Sequence, residues 1–198
     1  TLIAKRDISG AVTLPDDGVA PAGGVSVTIT AASGSDKATV AVIIPEGHNS
    51  ADYMLKVPPS TSDKGYLVSY QTSNGMYLQT AYYSVSGSVR YNTLATLIDV
   101  SAEDKGNINL NLIAKKRITG TISLPEGTAP KDGVKVTVWA TYGSDKDSQT
   151  VVIPEGASSI EYVLYVPDGS GYTLYYETSD IAYLNKGYYN ENGTVKDS

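Results

Sequence analysis

The chain repeats itself, and the repeat constrains its fold more than any other feature. Leu2-Ile3-Ala4-Lys5 recurs as Leu112-Ile113-Ala114-Lys115, 110 residues on. Gly34-Ser35-Asp36-Lys37 recurs from Gly143 to Lys146, and Ile44-Pro45-Glu46-Gly47 from Ile153 to Gly156, both at a spacing of 109. Gly65-Tyr66 and Tyr82-Tyr83 recur as Gly171-Tyr172 and Tyr188-Tyr189, at 106. The spacing changes only near Asp16-Asp17 and between Pro59 and Lys64, as loop deletions in a shared fold would make it. The chain therefore divides into two copies of one module, residues 1–111 and 112–198, joined near Leu110–Ile113 with almost no linker. A connection that short predicts a stiff, rod-like pair.

Within each copy the apolar residues alternate. Ile8, Gly10, Val12 and Leu14 share one phase, as do Val25, Val27, Ile29 and Ala31, then Val42 and Ile44, then Tyr53, Leu55 and Val57, and then Tyr66, Val68 and Tyr70. Period-two patterning rich in β-branched and aromatic residues marks half-buried strands, and Gly and Pro punctuate the runs at sandwich spacing. Asn74-Gly75 reads as a hairpin turn. No stretch has a 3.6-residue period, so almost no helix is expected.

Composition excludes much chemistry. The 198 residues contain no Cys and one His, which removes thiol nucleophiles, disulfides and thiolate-ligated metals and makes a catalytic triad a poor fit. We therefore expect no enzyme and no cofactor. A net charge of −6 argues against a nucleic-acid partner, and no apolar run approaches a membrane span. Beginning at Thr1 without a signal peptide, the sequence reads as a processed or excised piece.

Ile118-Thr119-Gly120-Thr121-Ile122 is followed by Gly133 to Val138, and Tyr82-Tyr83 by Ala95 to Val100 and Asn107-Ile108-Asn109-Leu110. Together these segments resemble carboxypeptidase regulatory-like (prealbumin-like) domains. The Ile-Pro-Glu-Gly and Tyr-x-Leu-x-Val-Pro segments are similar to those of other bacterial surface β-sandwich repeats. The resemblance implies an all-β fold of two tandem Ig-like or prealbumin-like β-sandwich modules. It also implies a secreted or surface-anchored bacterial protein, in which such modules act as stalks, adhesin segments or accessory binding modules; a filament protein is a further expectation of our own. Surface stalk domains of the collagen-adhesin B type carry Lys–Asn crosslinks. Lys5, Lys115, Asn109 and Asn111 are the residues to weigh here, but no buried acid accompanies them, and solvated strand ends are the simpler reading.

Other candidates are weak. His48 stands alone in its turn. Asp16-Asp17, Asp99 with Glu103-Asp104, and Asp145 with Asp147 lack the spacing of a calcium loop, so no metal site is expected. Asn192-Gly193-Thr194 is a formal glycosylation sequon that also marks a turn.

The aromatic residues say more. Tyr53, Tyr66 and Tyr70 align with Tyr162, Tyr172 and Tyr176 in the inward phase, so Tyr supplies the core aromatics of a chain without Phe. In the second copy alone, outward positions also turn aromatic. Trp139 stands for Thr30, Tyr165 for Lys56 and Tyr175 for Ser69, while Tyr142 replaces Ser33 in the following turn. If the second, fourth and fifth strands share a sheet, Trp139, Tyr165 and Tyr175 share an outer face. That face is a candidate ligand or partner interface, with a polysaccharide as the candidate ligand.

The second copy also has no equivalents of Thr93 to Asn111, where copy one continues with two expected strands, Thr93–Ser101 and Asn107–Leu112. The second module then lacks its last two strands and has an open edge near Tyr188 and Tyr189. Thr1-Leu2-Ile3-Ala4, which matches the Asn111–Ala114 junction, is a candidate donor strand. Two functions compete. One is a structural or adhesive segment whose partners are neighbouring domains or copies of itself; the other is a carbohydrate-binding module.

Overall fold

The computed structural model describes residues 2–61 and 64–190, together with the backbone of 193–195. It separates into unit 1, Thr1–Ala114, and unit 2, Lys115–Ser198. The division falls three residues after the sequence-based boundary, because Leu112 is buried in unit 1 and Ile113 packs on its core.

Unit 1 is a two-layer sandwich. One sheet has the order β4-β1-β7, from β1 (Arg6–Thr13), β4 (Ser50–Val57) and the two-residue β7 (Leu110–Asn111). The other has the order β3-β2-β5-β6, from β2 (Val25–Ser33), β3 (Asp36–Ile44), β5 (Leu67–Gln71) and β6 (Thr80–Tyr82). Unit 2 repeats the pattern with β8 (Lys116–Ser123), β9 (Val134–Tyr142), β10 (Asp145–Ile153), β11 (Ser159–Val166), β12 (Thr173–Thr178) and β13 (Lys186–Asn190). Its sheets are β11-β8 and β10-β9-β12-β13-β14, the last strand being Gly193–Val195. Equivalent strands keep the spacings read from the sequence. The Tyr82–Val89 bridge of unit 1, for instance, recurs as the Tyr188–Val195 pair.

The alternation explains the burial. Ile8 and Val12 of β1, Val25, Val27, Ile29 and Ala31 of β2, Leu55 and Val57 of β4, and Val68 and Tyr70 of β5 turn inward and are buried. The β2–β3 and β9–β10 hairpins close on Gly34-Ser35 and Gly143-Ser144. The glycines there take φ of 58° and 57° at the first central position, which a II′ turn requires and glycine adopts freely. The Asn74-Gly75 segment does turn the chain between β5 and β6, but through the Asn74 side chain, which accepts the Met76 N–H at 3.0 Å. Among the described residues the helical content is one 3₁₀ turn, Asn92–Leu94.

The end of unit 1 differs from expectation. Thr93–Ser101 is not a strand; it starts in that 3₁₀ turn and pairs through an isolated bridge from Ile98 to Tyr66, the residue before β5. Asn107–Leu112 contributes just the two residues of β7, which run parallel to β1. The segment nevertheless closes the core, for Ile98, Val100, Ile108, Leu110 and Leu112 are all buried. It is tied to β1 by scattered backbone bonds, Ile108 N–H to Ser9 and Leu112 N–H to Thr13, and by its own side chains. Asn109 Oδ1 accepts the Ala11 N–H at 3.0 Å, and Asn111 Oδ1 accepts the Thr13 hydroxyl. These two asparagines therefore bind β1 and are not solvated strand ends.

Unit 2 has no counterpart of this closing segment among its described residues, and its burial falls accordingly. Of the aligned inward residues, Val136 and Leu164 are buried like Val27 and Leu55, but Ile118 and Tyr176 are only half-buried where Ile8 and Tyr70 are fully enclosed.

Candidate functional site

The outward aromatics of unit 2 partly assemble. In the β9–β12–β13 ladder Trp139 lies directly opposite Tyr175, and Tyr175 opposite Tyr188. Their rings form a row. Trp139 and Tyr175 are 6.1 Å apart between centroids with planes 10° apart, and Tyr175 and Tyr188 are 5.5 Å apart at 37°. Lys186 sits over the two tyrosines, its Nζ 4.2 Å from the Tyr175 centroid and 5.1 Å from that of Tyr188. A hydrogen bond to Tyr188 raises the Lys186 pKa, so the cation is held on the rings. Glu177 pairs with the same ammonium at 3.7 Å. Trp139 is half-buried, and its Nε1 is shielded from solvent without a hydrogen-bond partner among the described residues.

Two of the expected members lie elsewhere. Tyr165 belongs to β11, which pairs with β8 and not with β9 or β12, so it is on the other sheet. The fourth strand switches sheets in this topology, and alternation within a strand carries no information about that. Tyr142 is the last residue of β9, not part of the turn, and rests against Tyr172 at 5.7 Å, apart from the row. Tyr188 completes the row, although the sequence marks it only as an edge residue. Its signal was available in the register, since a Tyr-Tyr pair puts one ring on each face of its strand. Tyr189, on the other face, lines the core side and is exposed.

The remaining candidates are used structurally. His48 is exposed, its Nδ1 3.1 Å from the Glu46 carbonyl. Asp99 accepts from the Ser60 hydroxyl at 2.7 Å and from the Ser101 N–H at 2.8 Å, and these bonds, Ser60's foremost, bring its pKa down to about 2. Asp104 accepts the Asp7 N–H, Glu103 pairs with Lys105, and Asp147 accepts the Tyr165 N–H. Asp16 and Asp17 occupy left-handed loop positions. The Asn192 sequon residue lies outside the described residues, as does Thr1; Leu2 and Ile3 are 100% and 80% exposed.

The second feature is a groove of about 610 Å³ in unit 2, on the core side between β8 and the β12–β13 end of the larger sheet. Ile122, Val136, Tyr176, Tyr183, Leu184 and Tyr189 are among its walls. It occupies the side of β8 that corresponds to the β7 side of β1.

No protein-family model matches the chain, and no curated protein matches it in sequence. The likeness to prealbumin-like domains thus extends to an all-β sandwich and no further. Among solved structures, the calcium binding domain CBD12 of CALX1.1 aligns at 11% identity over 86% of this chain and 79% of that one, with a TM-score of 0.26. CBD12 from CALX1.2 aligns at 11% identity over 87% and 72%, also at 0.26. Neither likeness is strong enough to transfer a property.

Proposed function

We propose that the chain is a non-catalytic structural or adhesive tandem β-sandwich segment of a secreted, surface or filament protein of bacterial type. The observation that supports this reading is the recurrence of β1–β6 as β8–β13, in units where Asp99, Asp104, Asn109 and Asn111 of unit 1 and Asp147 of unit 2 hold segments together. Side chains committed to such bonds build a spacer, not a reaction centre. Fractionation of the source cells with immunodetection tests it: the chain belongs in the secreted or surface-accessible fraction, and confinement to the cell interior would overturn the reading.

The Trp139–Tyr175–Tyr188 row favours a second reading, a carbohydrate-binding module. Trp139 and Tyr175 stacked at 10°, with Tyr188 tilted beside them, form a contiguous aromatic row of the kind against which the CH groups of sugars pack. A glycan array decides between them. Saturable binding by the intact chain that Trp139→Ala abolishes establishes the second reading, and its absence leaves the first.

A further inference from the structure

Unit 1 shows what a groove like that of unit 2 is built to hold. In unit 1, Leu112 donates its N–H to the Thr13 carbonyl at 2.8 Å, and Ile113 donates its own to the Tyr70 hydroxyl at 2.8 Å. The Ile113 carbonyl accepts the Leu78 N–H at 2.8 Å, and Ala114 bridges Tyr77. By the repeat spacing, the counterparts of Thr13, Tyr70, Tyr77 and Leu78 are Ser123, Tyr176, Tyr183 and Leu184, and all four line the unit 2 groove. Leu78, bonded to Ile113, is 7% exposed, whereas Leu184 is 51% exposed. A second point agrees. Gly10 lacks a side chain because the Ile108 backbone crosses directly over it, and Tyr53 donates its hydroxyl to the Ile108 carbonyl. Unit 2 keeps both residues as Gly120 and Tyr162, and the Tyr162 ring lies over Gly120 in the space that the backbone takes in unit 1.

The chain carries a segment with the sequence this groove fits. Leu2-Ile3-Ala4 is identical to Leu112-Ile113-Ala114, and Leu2 and Ile3 cover nothing in their own unit. We propose that Leu2–Ala4 of a second copy enters the unit 2 groove, running parallel to β8 as β7 runs to β1, and takes the place that Leu112–Ala114 holds in unit 1. Leu2 then donates to Ser123, Ile3 bonds Tyr176 and Leu184, and Ala4 meets Tyr183. The donor and acceptor surfaces differ, so the contact is head-to-tail and propagates into open chains or closes into rings.

The chain has no cysteine, so Lys5→Cys gives a single attachment point for a nitroxide beside the donor segment. Spin-labelled chain without isotopes is mixed with isotope-labelled chain, so that any broadening is between copies. Broadening concentrated at Ser123, Tyr183 and Leu184, growing from micromolar to millimolar concentration, is the expected result. Ile3→Asp, at an exposed residue, should weaken it about tenfold or more, the effect of losing one buried isoleucine. A synthetic peptide with the sequence of residues 107–115 should compete. Absence of broadening at millimolar concentration, broadening elsewhere, or broadening that Ile3→Asp leaves unchanged would overturn the proposal. Peptide binding in the groove without association between copies would also overturn it, since the groove would then take a different donor.

Discussion

At the scale of single residues the two units differ most where the same amino acid does different work. A Cβ on Gly10 would meet the Ile108 backbone, which cannot move without unseating the closing segment, whereas a Cβ on Gly120 would meet only the ring of Tyr162. We expect Gly10→Ala to destabilise unit 1 by about 1–3 kcal/mol through overpacking. Gly120→Ala should cost less than about 1 kcal/mol, because a side chain gives way and Ala suits a strand better than Gly. Equal costs in urea melts would mean that the closing segment does not press on β1. The tyrosines divide in the same manner. Burial pushes the Tyr70 hydroxyl up to about 12, and raises Tyr53 and Tyr66 as well. A raised phenol favours the folded state only while it is neutral. The contribution is complete below the ordinary value near 10 and is lost as pH rises from there through about 12. Unit 1 should therefore unfold in that window, with tyrosinate absorbance and loss of strand circular dichroism rising together. Tyrosinate absorbance fully developed near pH 10 over an intact fold would contradict this.

At the scale of elements, the closing segment of unit 1 is the most informative piece. Leu110 lies in a strand of only two residues, yet it is fully buried. Leu110→Ala should cost unit 1 about 2–5 kcal/mol, as for other buried leucines. A cost under 1 kcal/mol in denaturant titration would show that the segment merely lies on the surface. Strand positions, their phase and the correspondence between copies were legible in the sequence, because alternation and spacing are one-dimensional properties. The form of the closing segment was not. Ile98, Val100, Ile108, Leu110 and Leu112 alternate as a strand would, but their amides bond at scattered points, Ile98 to Tyr66, Val100 to the Ser60 hydroxyl, Ile108 to Ser9 and Leu112 to Thr13, while Asn109 and Asn111 reach β1 with their side chains, and such partners leave no periodic trace. Sheet membership was also hidden. Tyr165 has the outward phase expected of it, but its strand pairs with β8, a choice made by topology. The aromatic row was half legible for the same reason: Trp139 and Tyr175 were visible as copy-specific changes, and Tyr188 joins them only through register.

At the scale of the whole molecule, two units of one design differ in how much core their described residues enclose. The buried cluster of unit 1 is more than twice the size of the one described in unit 2, and the difference includes the five apolar residues of the closing segment. Since stability follows the apolar area removed from water, unit 2 should unfold at lower denaturant than unit 1. The sequence provides its own reporters. Trp139 is the sole tryptophan and lies in unit 2, so its fluorescence follows that unit alone, while circular dichroism follows both. The fluorescence transition should come first, and circular dichroism should show a second one. If the groove takes such a segment, a peptide with the sequence of residues 107–115 should fill it and stabilise only the state that has it. At about a hundredfold excess over its Kd it should raise the stability of unit 2 by ~2.7 kcal/mol. Unit 1 holds its own copy of that segment and offers no vacant groove, so its transition should stay where it was. Coincident transitions by both probes, or a peptide that moves the later transition, would show that the two units do not differ in the way the groove implies.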